Sequence, residues 1–121
     1  MKRIVTALVL ACVPHSGHAM TIQEGREACR NFDDINALER DPEWFAIGRC
    51  FGMARGVVQV MIANCSSLAP DAKVPKASAP PSTGATIQAF LNWADNHPER
   101  WGGPFSYGMI VAVQEAFPCE N

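Results

Sequence analysis

The chain has 121 residues, 48% of them hydrophobic and 18% charged, with a formal net charge of −2. That is enough apolar material for one core and too little for two. The charge balance lacks the basic excess of a nucleic-acid binder, collagen-like and coiled-coil compositions are excluded, and no uninterrupted apolar run reaches the ~20 residues that cross a bilayer.

The first residues read as an export signal. Lys2 and Arg3 precede an apolar stretch from Ile4 to Val13, and Gly17-His18-Ala19 supplies a small-x-small cleavage site. Cleavage after Ala19 divides the chain into a secretory signal, 1–19, and one domain, 20–121. The mature part carries eight basic and twelve acidic residues, a formal charge of −4. A second reading takes Val9-Leu10-Ala11-Cys12 as a lipoprotein box, which would leave an h-region of only seven residues before Cys12. Cleavage after Ala19 is therefore preferred, and it predicts an exported protein in an oxidising compartment.

Either cleavage leaves Cys29, Cys50, Cys65 and Cys119. An even set in a short exported chain predicts two disulfides. There is no C-x-x-C pair, so the set suits neither a thioredoxin-like site nor a zinc knuckle.

Four helices are expected in chain order. Thr21-Ile22-Gln23-Glu24 has the form of a capping box, and Ile22, Cys29 and Phe32 share a stripe on the helix it opens, with Gly25 between them. Asp41-Pro42-Glu43 opens a second helix, expected to reach about Asn64. That helix is apolar nearly all round, which predicts a central position. Gly48, Gly52 and Gly56 fall on one of its faces. Each glycine costs ~1 kcal/mol in a helix interior, so the stripe favours close packing inside the domain over a dimer seam. A volume-adding substitution such as Gly52→Leu is expected to destabilise.

Ala69–Ala85 contains four prolines and reads as a 17-residue loop. Ser82 or Thr83 caps a third helix carrying Ile87, Phe90, Leu91 and Ala94 on one stripe, and Pro98 ends it near His97. Pro104 opens a fourth, with Phe105, Met109, Ala112, Val113 and Ala116 turned inward, and Pro118 closes it. No segment alternates like a strand. The expected class is all-α, a small disulfide-bonded bundle of about four helices with a long Pro/Ser-rich loop.

The helix plan constrains the disulfides. Cys50 and Cys65 on one helix stand about 22 Å apart, whereas a bridge needs Cα atoms ~4.4–6.8 Å apart. Cys29 and Cys50 are nearly equidistant from the turn between helices one and two, as an antiparallel hairpin requires. The preferred pairing is Cys29–Cys50 with Cys65–Cys119.

Little in the chain points to catalysis. His97 is the one histidine left after signal removal, and its place before proline suits a helix C-terminal cap. Asp33-Asp34 lacks EF-hand spacing, and no glycine-rich phosphate loop is present. No catalytic set, metal site or cofactor is expected, and the chain reads as a binding protein.

Three local patterns then resemble the Rap/Tai immunity proteins of bacterial type VI secretion. They are Cys50-Phe51-Gly52-Met53-Ala54-Arg55-Gly56-Val57, then Phe90-Leu91 followed by His97-Pro98-Glu99, and the terminal Ala116-Phe117-Pro118-Cys119. Together with the signal and the four cysteines they span most of the mature chain. Met53 stands where that family usually has tyrosine, and the segment after Cys65 is longer and richer in proline. The resemblance implies a small helical periplasmic protein that binds a peptidoglycan amidase effector and occludes its cleft, often as a homodimer. A rival reading is a periplasmic stress or chaperone-like binding protein with no amidase partner, for which the negative charge would permit a charge-reversal switch.

Inhibitory binding needs rigid anchors, and hot spots favour Trp, Tyr and Arg. The corner from His97 to Gly103 meets this with His97, Arg100 and Trp101, with Trp93 nearby on the flank of helix three. It is the expected primary contact, and the loop Ala69–Ala85 the secondary one. A competing reading folds Trp101 back on the core.

Overall fold

A computed structural model describes residues 18–34, 43–68 and 80–119. Residues 1–17 of the expected signal, including Cys12, lie outside the described residues. So do Asp41 and Pro42 at the expected start of helix two, and residues 69–79 of the proline-rich loop.

Four helices form, α1 (Ile22–Cys29), α2 (Glu43–Leu68), α3 (Thr83–Asn96) and α4 (Phe105–Ala116), with a short 3-10 turn at Pro98–Arg100. Among the described residues there is no strand, only a single antiparallel bridge between Thr21 and Pro104. The class is all-α, as the apolar periodicity requires.

Local chemistry explains the starts. The Glu24 amide donates to the Thr21 hydroxyl at 3.2 Å, and the Thr21 amide donates back to the Glu24 carboxylate at 2.7 Å. This closes the capping box. At α3 the Ser82 hydroxyl accepts the Ala85 amide at 3.1 Å. One turn on, the buried Thr86 hydroxyl donates to the Ser82 carbonyl at 3.0 Å, so it carries no desolvation penalty into the core.

The core collects Ile22 from α1, Cys50, Ala54, Val57 and Val58 from α2, Ile87, Phe90 and Ala94 from α3, and Phe105, Met109, Ala112 and Val113 from α4. Phe90 and Phe105 meet edge to face with ring centroids 5.0 Å apart. Each large apolar side chain so buried contributes roughly 1.5–3 kcal/mol. The inward residues of α3 and α4 match most of the expected stripes, but Thr86 and Gly108 are buried as well and Leu91 only partly so. Trp93 is buried with them at 7% exposure, and Ala116 at the end of α4 faces solvent.

The long helix departs from expectation. It runs one turn past Asn64, and it buries one face instead of its whole circumference. Ile47, Cys50, Ala54, Val57 and Val58 turn inward, while Trp44, Phe45, Val60 and Ile62 are exposed. It is a flanking helix whose outer surface carries these apolar side chains among Arg49, Arg55, Gln59 and Asn64. Its segment Trp44–Cys65 has mean hydropathy 1.3 and is 28% buried, so by length and composition it is long and apolar enough to cross a membrane, despite Arg49 and Arg55.

The glycine reading is corrected by the same geometry. A β-carbon on Gly48, Gly52 or Gly56 would meet nothing within 4 Å among the described residues, so this stripe packs against none of them. The positions that require glycine are Gly25 and Gly108. A β-carbon on Gly25 would collide with the ring of Phe105, and one on Gly108 would lie 2.8 Å from Ile22 and 3.2 Å from Trp93. Both sit where α1 and α4 cross.

The disulfides join the expected partners. Cys29–Cys50 ties α1 to α2 with Cα atoms 5.3 Å apart, and Cys65–Cys119 ties the last part of α2 to the segment after α4 with Cα atoms 5.8 Å apart.

Candidate functional site

The corner between α3 and α4 supplies partners to the orphan backbone groups of two helix ends, the start of α1 and the end of α3. A helix starts with amides that lack partners and ends with carbonyls that lack them. At the start of α1, the Ile22 amide donates to the Gly103 carbonyl at 2.8 Å and the Gln23 amide to the Trp101 carbonyl at 3.1 Å. With Thr21 and Glu24 engaged in the capping box, every early amide of α1 has an acceptor. The Phe105 amide donates to the Met20 carbonyl at 2.9 Å, completing the seam beside the Thr21–Pro104 bridge.

The end of α3 is closed in the same way. The Asn92 carbonyl accepts the Asn96 side-chain amide at 2.9 Å, the Trp93 carbonyl lies 2.8 Å from His97 Nδ1, and the Ala94 carbonyl accepts the Trp101 indole N–H at 2.8 Å. The His97 main-chain amide adds a second donor to Ala94 at 3.3 Å. His97 also stacks on Trp93, with ring centroids 4.7 Å apart and planes inclined by 21°. Across the top, Arg26 of α1 pairs with Asp95 of α3 and lays its guanidinium over the Trp101 ring, 4.8 Å from the centroid.

The four residues named from the sequence therefore fall in one region with different duties. Trp93 lies in the core beneath the corner, and its indole nitrogen is buried without a hydrogen-bond partner among the described residues. His97 is half-buried and closes α3. Trp101 folds back on α3, as the competing reading held, and acts as the bolt of the corner. Arg100 alone among them projects into solvent, with 58% of its side chain exposed and the Glu99 carboxylate 3.9 Å away.

Beside Arg100 lies a shallow hollow of about 450 Å³, lined by Ile22, Glu99, Arg100, Gly102, Gly103, Pro104 and Tyr107. Tyr107, 48% exposed, stands on its rim. Sequence reasoning missed it, although it is the chain's one tyrosine and lies three residues after the helix-opening proline. Gly102, Gly103 and Pro104 form its backbone-rich wall with Ile22 fully buried behind them, and the exposed side chains offer the Arg100 guanidinium, the Glu99 carboxylate and the Tyr107 phenol. Such a site can receive a protruding side chain with an apolar stem and a hydrogen-bonding tip.

Electrostatics at the seam is local. The Thr21 amide, and after it the Thr21 hydroxyl, hold the Glu24 carboxyl below its usual range by hydrogen bonding to the charged form. No three His, Cys, Asp or Glu side chains gather into a metal site among the described residues. In comparisons with known proteins, no family model, curated protein or solved structure matches this chain.

Proposed function

We propose that this chain is a periplasmic immunity protein that binds a peptidoglycan amidase effector of type VI secretion and blocks its cleft. The observation that carries the reading is the corner itself. It is a preorganised projection, pinned at both helix ends, that presents Arg100 beside a receptive hollow. Rigid projections bind without the ordering cost that a loose loop incurs. The export pattern, the ending Ala116-Phe117-Pro118-Cys119 and two disulfides compatible with an oxidising compartment support the same reading.

In this reading the protein acts as a homodimer through the outer face of α2. That face exposes Phe45 and Val60 beside a run of glycines that lets another backbone approach closely. The same exposed apolar residues favour a second reading, a stress or chaperone-like binder that presents α2 to unfolded clients.

The deciding experiment titrates the purified protein into a panel of type VI peptidoglycan amidases and follows peptidoglycan hydrolysis. Stoichiometric inhibition, weakened by Arg100→Ala, is the expected result. Full hydrolysis at saturating protein, together with suppressed aggregation of an unfolded client, would favour the second reading.

A further inference from the structure

We propose that Cys65–Cys119 is an exchange site for a dithiol reductant and opens within the folded protein, while Cys29–Cys50 stays closed. The inference goes beyond the binding function and rests on where the two bridges lie. Cys29 and Cys50 are both 0% exposed and belong to the central cluster, beside Phe32 and Phe51, whose ring centroids are 6.5 Å apart. Cys119 is exposed and Cys65 partly so.

Thiol–disulfide exchange requires a thiolate to reach one sulfur of the bridge. The first step forms a bond from the incoming sulfur to Cys119 Sγ and breaks the Cys65–Cys119 bond, leaving Cys65 as the thiolate. The reductant's second thiol then attacks its own mixed-disulfide sulfur and releases Cys119. The protein's disulfide gains two electrons and two protons, and the dithiol leaves as its cyclic disulfide. The same attack on Cys29 or Cys50 needs the core to open first.

Opening the outer bridge does not remove the packing that holds α4. The buried residues of α4 are Phe105, Gly108, Met109, Ala112 and Val113, all at least one turn before Phe117. The corner lies at the opposite end of that helix. The reduced form therefore keeps the core and the corner, and it loses only the covalent tie between Cys65 and the segment after α4. Phe117, 37% exposed, sits in that released segment.

The test uses the native protein and dithiothreitol. Samples are quenched with an alkylating agent over time and the labelled cysteines are located by peptide mass mapping, with helicity followed by circular dichroism. Labelling of Cys65 and Cys119 is expected about tenfold or more ahead of Cys29 and Cys50, with helicity retained. In urea, with burial removed, the two bridges should open at similar rates. Simultaneous opening in the native protein, prior opening of Cys29–Cys50, or an equal rate difference in urea would each overturn the assignment.

Discussion

Gly25 and Phe105 meet so closely that a β-carbon on Gly25 would lie 2.6 Å from both Cγ and Cε2 of the phenylalanine ring. Phe105 is the first residue of α4 and Gly25 lies in the middle of α1. Their contact sets how deeply the start of α4, and with it the corner, sits against α1. The ring cannot withdraw easily, because Phe90 holds its other side at a centroid distance of 5.0 Å.

Gly25→Ala is therefore expected to destabilise the protein. Overpacking a filled site costs about 1–3 kcal/mol, which exceeds the helix-propensity gain of up to ~1 kcal/mol. Urea melts measure the difference. A variant as stable as the parent would mean that Phe105 can move aside without loss.

Gly52→Ala should do the opposite. Nothing among the described residues lies within 4 Å of the added carbon, so within a single chain propensity acts alone and raises the stability of the monomer by up to ~1 kcal/mol. The same measurement at several protein concentrations reports on the proposed dimer. A loss that grows with concentration would place a partner against this face.

The contrast shows what the sequence made legible. Helix starts were readable because capping is a local bargain between neighbours, as at Thr21 with Glu24 and at Ser82 with Ala85. The disulfide pairing was readable because one long helix holds Cys50 and Cys65 too far apart to join. The role of each glycine was not. Spacing on α2 says that three glycines share a face, but not whether that face meets anything. Gly25 and Gly108 are isolated in sequence, and their need arises from a crossing of α1 and α4 that is non-local. The corner was located from Pro98 and Pro104, while Trp101 as bolt and Tyr107 as rim depend on contacts with α3 and α1 that no local pattern encodes.

The capping box should give the protein an acid-sensitive helix start. The Thr21 amide and hydroxyl stabilise the charged Glu24 carboxyl and lower its pKa from the usual 4.5. A carboxyl depressed on folding stabilises fully above its unfolded pKa, and the contribution fades as pH falls through the lower folded value. The parent should lose more stability between neutral pH and about pH 3 than Glu24→Gln does. Parallel slopes in melts across that range would show that the carboxylate contributes nothing to the α1 start.

Trp101→Phe should loosen the corner without unfolding the domain. The indole N–H to Ala94 is lost, and the π face under Arg26 becomes a weaker one. Because the His97 amide still donates to Ala94, the acceptor is not orphaned and the cost is about 1 kcal/mol. Amide exchange at Gln23, whose acceptor is the Trp101 carbonyl, should accelerate more than exchange in the middle of α3. Unchanged protection at Gln23 would separate the backbone seam from the side-chain bolt.

The final expectation concerns how Arg100 and Tyr107 divide the work of binding. Arg100 is exposed on the rim, where a charge chiefly steers the encounter and its effect is screened by salt. Tyr107 borders the apolar hollow, where an aromatic ring anchors a partner after contact and a hot-spot truncation costs ~2 kcal/mol. Arg100→Glu should therefore slow association with a peptidoglycan amidase that the parent inhibits and lose most of its effect at high salt. Tyr107→Ala should leave association near the parent rate, speed dissociation and weaken inhibition in proportion. Stopped-flow association at two salt concentrations and a competition dissociation assay read the two rates separately. Folded variants that both associate and dissociate like the parent would remove the corner from the binding interface.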